Sequence, residues 1–265
     1  MRTSLLGMPV DVLSLEETVA RARIAMRERE ACRHVALNVA KLVNARSDPE
    51  LDRDVRLADI IGIDGMGIVL GLKALGMPGC ERVSGIDLFL ALIESCAIER
   101  RRPFLLGATR DVLDEAAGNL AKRFPGLEFA GLRDGYFGKA DELEVVAEIR
   151  RSGADCLFIA MPTPRKERFL AAYGDTLGVP FLMGIGGSLD VVAGKTRRAP
   201  AWAQSAGLEW AYRLAQEPRR LAGRYLRTNA VFAGLLALAL VRKATGLGQT
   251  GRSAGATRRE TGTER

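Results

Sequence analysis

From Val35 to Gly184, short apolar runs alternate with longer segments whose apolar residues recur at helical spacing. The runs Val35–Asn38, Ile60–Ile63, Pro103–Leu106, Glu128–Leu132, Cys156–Ala160 and Phe181–Gly184 are predicted strands, too short for helices. Asp111–Arg123, Asp141–Arg151 and Lys166–Tyr173 carry the period of helices that bury one face. Strands alternating with helices predict an α/β fold, a Rossmann-like parallel sheet with helices on both faces. Gly65, Gly85, Gly107, Gly135, Gly186 and Gly187 fall at or just after the predicted strand ends. In an open sheet that edge binds ligands, because backbone N–H groups and helix N-termini converge there.

The pattern changes near Lys195. Residues 1–195 are expected to form the α/β domain, residues 196–243 a helical, basic, membrane-associating appendage. Residues 244–265, rich in Gly, Thr, Ser and charge, are expected to be a disordered tail. The appendage carries Arg198-Ala199-Pro200, Gly207-Leu208-Glu209-Trp210 and arginines at 213, 219, 220 and 224. A guanidinium fork donates two parallel hydrogen bonds and keeps its charge, so this density suits a diphosphate; it equally suits a solvated helix face. The apolar block Ala230–Val241 follows, shorter than the ~20 residues that span a hydrocarbon core. Arg224, Arg227, Arg242 and Lys243 flank it. Such a segment can lie in the plane of an anionic membrane surface, each cation contributing on the order of 1 kcal/mol. A buried core helix or a dimer contact is the alternative, which leaves homo-oligomerisation open.

Composition narrows the partners. Of 265 residues 48% are apolar, enough for a substantial core, and the net charge of +7 points to an anionic partner. Nucleic acid is not expected, since aromatics make up only 6% and no nucleic-acid signature accompanies the basic run. Cys32, Cys80, Cys96 and Cys156 are scattered without a CxxC pair or a secretory signal, which reads as a cytosolic chain with reduced, buried thiols. His34, the single histidine, reads as a strand residue. No His/Cys metal site is expected, a carboxylate-bound magnesium stays open, and no dinucleotide fingerprint or P-loop occurs.

Polar residues stand at the same strand ends. Asp64 follows Ile60-Ile61-Gly62-Ile63 and precedes Gly65-Met66-Gly67, so its carboxylate is presented at the mouth of the sheet, as a general base or as a cap for the next helix. Asn38 ends an earlier strand, Arg82 offers a cation, and Asp87 is a further carboxylate or cap.

With these residues aligned, the chain resembles the WecG/TagA/CpsF glycosyltransferase family, also called glycosyltransferase family 26, from about Leu5 to Arg224. The markers are Leu37-Asn38, Asp64-Gly65, Arg82-Val83-Ser84-Gly85-Ile86-Asp87, Leu105-Leu106-Gly107, Asp134-Gly135-Tyr136-Phe137, Pro164-Arg165-Lys166-Glu167, Gly186-Gly187, Arg198-Ala199-Pro200, Gly207-Leu208-Glu209-Trp210 and Glu217-Pro218. The resemblance implies inverting, metal-independent transfer of a hexose-type sugar from a UDP-sugar to a polyprenyl-diphosphate-linked sugar, at the inner face of the cell membrane. The product would enter an exopolysaccharide, capsule or wall polymer, and no cofactor is implied. Asp64 would be the base. Gly65, Gly107, Gly135, Tyr136, Gly187 and Asp190 would serve the donor. Asn38, Arg82, Arg198, Arg213, Arg220 and Arg224 would serve the acceptor or its diphosphate. Pro164, Lys166 and Glu167 belong to a motif to which the resemblance assigns no role. Two departures bear on the sugar: Ala36 replaces the usual Thr, and Arg165-Lys166 replaces the usual Lys-Gln. The rival readings are an inactive membrane-surface scaffold, which would be expected to lose Asp64, and a nucleotide-dependent oxidoreductase or epimerase, against which the missing fingerprint speaks.

Overall fold

The structure, a computed structural model, describes residues 1–245; residues 246–265, most of the expected tail, and the side chain of Arg220 lie outside the description. In chain order the elements are β1 (Arg2–Leu5), β2 (Met8–Asp11), α1 (Leu15–Glu28), β3 (Cys32–Leu37), α2 (Val39–Ala45), α3 (Pro49–Arg56), β4 (Ile60–Ile63), α4 (Met66–Ala74), α5 (Gly85–Glu99), β5 (Pro103–Gly107), α6 (Arg110–Arg123), β6 (Gly131–Arg133), α7 (Glu142–Ser152), β7 (Cys156–Ala160), α8 (Arg165–Tyr173), β8 (Phe181–Gly184), α9 (Ser188–Val192), α10 (Ala201–Ser205), α11 (Glu209–Gln216) and α12 (Pro218–Ala244).

Six strands form one parallel sheet in the order β4-β3-β8-β7-β5-β6. Every residue of β5 and β7 is buried, which is why these strands read as continuous apolar runs rather than alternating ones. Helices α1, α5, α6 and α9 share one core cluster with Leu105, Phe158, Phe181 and Met183. On the alternate residues of the same strands, Phe104, Leu106, Leu157, Ile159 and Leu182 pack with α7 and α8. A third cluster gathers β3, β4, α2, α3, α4 and the first two strands. The Rossmann-like expectation holds.

The antiparallel hairpin β1–β2 was not anticipated from the sequence. Its turn residues Leu6 and Gly7 both take positive φ, as a type I′ turn needs, but Leu replaces the Asn or Asp that signals such a turn. Asp11 ties the hairpin to the sheet, accepting hydrogen bonds from Arg2 and from the Ile61 backbone N–H. His34 is a buried strand residue, as expected. Its ring occupies the space a Cβ on Gly62 would fill, and burial, with the Lys41 charge adding, pushes its pKa down to about 4, so it is neutral at pH 7.

Beyond Lys195 the chain turns helical, and α12 packs against α2. The apolar block is divided between two environments. Phe232 inserts between Leu5 and Gly71 in the third core cluster, and Leu221 and Thr228 are buried on the same side. Leu226, Val231, Leu238 and Val241 are exposed. The block is thus part of a longer helix: Leu221–Ala244 has the length and mean hydropathy, 1.2, to cross a membrane by composition alone. Leu221, Thr228 and Phe232, with the hydrogen bond from Lys243 Nζ to the Leu75 carbonyl, 2.7 Å, hold one edge of it against the protein body, while most of its surface is exposed.

Candidate active site

The carboxyl ends of the strands place most of the expected residues on one edge. Asp64 leaves β4, its backbone N–H donating to the Leu37 carbonyl at the end of β3. Gly65 follows with φ +133°, a conformation L side chains rarely adopt, and turns the chain directly into α4. Gly65, not Asp64, occupies the cap position of α4, and that cap has no side-chain hydrogen bond. The alternative reading of Asp64 as a helix cap is therefore not what the fold uses. Asn38 does cap a helix: its side-chain oxygen accepts from the Lys41 N–H, 2.9 Å, at the start of α2.

Arg82 arrives beside Asp64 because the Val83 N–H donates to the Ile63 carbonyl, extending the hydrogen-bonding of β4 by one partner. The opposite wall comes from the appendage. Gly207 lies so close to Met66 that a Cβ there would sit 2.6 Å from its Cγ, and this contact seats α11 over the start of α4. Glu209, buried at the first position of α11, then takes two cations, Arg82 at 2.8 Å on one oxygen and Arg213 at 2.8 Å on the other. Trp210 stacks edge-on against Tyr225, joining α11 to α12.

Asp64 is half-buried, among the charges of Arg213, Arg82, Lys41 and Glu209. Loss of water pushes its carboxyl above the ordinary carboxylate range; Arg213, Arg82 and Lys41 oppose this, and Glu209 adds to it. Burial works the same way on Glu209, but the hydrogen bond from Arg82 and the charges of Arg213, Arg82 and Arg198 hold it below its usual value.

The other expected residues fall into separate groups. Gly107 ends β5 with φ +126° and packs on the Ala160 backbone, where a Cβ would sit 2.4 Å from the carbonyl oxygen. Gly135 packs on Gly107, and Tyr136 beside it is exposed, its N–H donating to Asp134. Arg165 bonds the Gly135 and Phe137 carbonyls and stacks on the Phe137 ring, fixing that loop to α8. Gly107 and Asp64 end strands that lie four strand spacings apart, roughly 19 Å along the edge. Gly187 and Asp190 lie after β8, where the Asp190 carbonyl accepts from Lys195 and Thr196. Arg198 pairs with Asp87. Arg224 lies over the ring of Tyr225 and is exposed. Pro164 follows a cis peptide bond and precedes α8, whose first turn carries Lys166 and Glu167, both buried. Among the described residues no group of three or more His, Cys, Asp or Glu side chains is placed to hold a metal ion.

Sequence reasoning missed Lys41, which is buried with its ammonium on Glu167 at 2.9 Å. The signal was present: a lone charge within the apolar run Val39–Val43. Glu209, read only as a family marker, turns out to organise the arginines.

A sequence profile of the glycosyl transferase WecG/TagA/CpsF family matches residues 3–246. Among curated proteins, the chain is similar to an N-acetylglucosaminyldiphosphoundecaprenol N-acetyl-beta-D-mannosaminyltransferase of Bacillus spizizenii, 36% identical over 176 residues, which are 66% of this chain and 68% of that enzyme.

Proposed function

Because the chain belongs to the WecG/TagA/CpsF glycosyltransferase family, we propose that it moves a hexose-type sugar from a UDP-sugar to a sugar on a polyprenyl diphosphate, with inversion, for a bacterial surface polymer. The observation that carries this reading is Asp64: a carboxylate of raised basicity in a protein-walled cleft, with Arg82 and Arg213 beside it. Asp64 takes the proton of the acceptor hydroxyl as that oxygen forms a bond to the anomeric carbon. The bond from that carbon to the diphosphate breaks on the opposite face, and UDP leaves with the electron pair. Negative charge grows on the leaving diphosphate, and guanidinium groups held in place before the reaction meet it without reorganising. Gly107, Gly135 and Tyr136, far along the edge, serve the nucleotide end, and Arg198, Arg220 and Arg224 serve the lipid diphosphate. The name of the Bacillus enzyme, which specifies a sugar on undecaprenyl diphosphate as its acceptor, supports that acceptor class here.

With arginines in place of a cation, UDP is expected to bind equally well in EDTA and in magnesium, within about threefold by calorimetry. Binding that disappears in the chelator and returns with magnesium or manganese would sink the metal-independent reading.

The exposed face of α12 supports a peripheral position on the inner surface of the cell membrane. Leu238 and Val241 project there beside Arg242 and Lys243. The double variant Leu238→Glu, Val241→Glu is expected to lose at least ~10-fold in cosedimentation with anionic vesicles while its melting temperature stays unchanged, since neither side chain is in the core. Unaltered vesicle binding would remove α12 from the membrane contact. Residues 196–243 on this account close the site and hold it at the membrane, while residues 1–195 carry the chemistry.

A further inference from the structure

Beneath Asp64 lies a second group of charges that the transfer reaction, as described, does not use. Glu167 is 1% exposed at its side chain and receives two ammonium groups on the same oxygen: Lys41 from α2 at 2.9 Å and Lys166 from its own helix at 3.0 Å. Thr163 Oγ1 reaches that oxygen at 3.2 Å and accepts from Lys166, and Lys41 also donates to the Ala36 carbonyl at 2.6 Å. The Lys166 stem crosses Gly184 at the end of β8, in space a Cβ would fill, toward the neighbouring end of β3.

Two buried cations on one carboxylate leave one positive charge over. Burying a charge without an opposite partner is costly, so the surplus needs an anion close by. Asp64 stands at the end of the next strand, its N–H on the carbonyl of Leu37, the residue after the Ala36 whose carbonyl Lys41 holds, and its charge and those of Lys166 and Lys41 act on one another. Burial pushes Lys166 down to about 8, Lys41 adding and Glu167 opposing, which still leaves it protonated at pH 7, while Glu167, despite its burial, is held at about 2 by the two lysines. The arrangement repeats above the cleft, where Arg82 and Arg213 share Glu209. The two groups differ in access at one member: the Arg213 side chain is 48% exposed, whereas those of Arg82, Lys166 and Lys41 are 15%, 9% and 5% exposed.

That difference separates their tasks. On this reading a diphosphate entering the cleft pairs with Arg213, the most exposed of these cations, and takes up its charge at the moment when Asp64 must be ionised. The lysine ammonium groups are held inside the protein on Glu167. We propose that Lys41 and Lys166, counted against Glu167, are positioning residues that hold one buried positive charge under Asp64 and keep its carboxylate ionised when the diphosphate is bound. This rests on the reading of Asp64 as the base. The charged groups around Asp64 are then Lys41 on α2, Lys166 and Glu167 on α8, Arg82 ahead of α5, and Glu209 and Arg213 on α11.

The test is the pH profile of kcat, which reports the substrate-bound enzyme, for Lys166→Gln, with Lys166→Met as a second variant that keeps the packing over Gly184, together with carboxyl carbon NMR of Asp64 in the presence of saturating UDP, its resonance identified by its loss in Asp64→Asn. Removing the surplus charge disfavours the ionised form, so the acid limb and the Asp64 titration both move to higher pH, by about one unit, while the rate on the plateau stays within about threefold of wild type. An acid limb and a titration unmoved in the folded variants overturn the proposal while leaving the base intact. Retained turnover in Asp64→Asn defeats the reading of the base itself, whatever the lysine variants do.

Discussion

Asp64→Asn is expected to lower turnover by roughly 10²–10⁴-fold and leave UDP affinity near that of the wild type. The amide fits the space of the carboxylate but cannot take the proton of the attacking hydroxyl. Among the described residues, the neighbouring carboxylates Glu209 and Glu167 are committed to two arginines and to two lysines. Loss of the Asp64 charge also removes the anion that balances these cations, so the variant should bind a diphosphate no more weakly. Turnover above about a third of wild type would show that Asp64 is not the base, and a matching loss of UDP affinity would show that the residue shapes the pocket rather than the chemistry.

The second large effect is expected at Arg213. Its guanidinium is held by Glu209 at 2.8 Å, half-exposed at the mouth of the cleft, and acts on Asp64. Arg213→Met should lower kcat by about 10²–10³-fold, the range seen when one preorganised donor to a developing anion is removed. Melting temperature should change little, because the buried Glu209 keeps Arg82 as its partner and the Arg213 side chain is half-exposed. A loss of less than about fivefold would return Arg213 to the status of a solvated helix face, the alternative its sequence left open.

The centre of the sheet was legible because β5, β7 and β8 are buried along their whole length, which requires runs such as Cys156–Ala160 and Phe181–Gly184 to be apolar throughout. The hairpin was not, since Leu6-Gly7 lacks the side chain that marks its turn. Asp64 was legible as a strand-end carboxylate next to a glycine. Its alternative role as a cap was resolved only by the φ of Gly65, which no residue pattern reveals. The arginines were visible as a density of charge, but which of them act together depends on Glu209, whose partners come from positions 127 and 4 residues away in sequence. The pair with Arg213 has the i,i+4 spacing of a helix, but the pairing with Arg82 across 127 residues leaves no local periodicity. Lys41 was visible as a lone charge in the apolar run Val39–Val43, but its partner Glu167, on another helix, was not. The block Ala230–Val241 was ambiguous because it serves two surfaces at once, with Phe232 in the core and Leu238 and Val241 facing out.

The central claim is the transfer itself. A panel of UDP-sugars incubated in EDTA with the purified chain and a short-chain polyprenyl-diphosphate sugar, read by mass spectrometry of the lipid product, tests it most directly. The account predicts that one donor adds a single glycosyl residue to the acceptor, with one UDP released per product and the opposite anomeric configuration to the donor. UDP-sugars that bind yet yield no glycosylated acceptor from any member of the panel, with or without divalent metal, would contradict it and leave the membrane-surface scaffold as the better description.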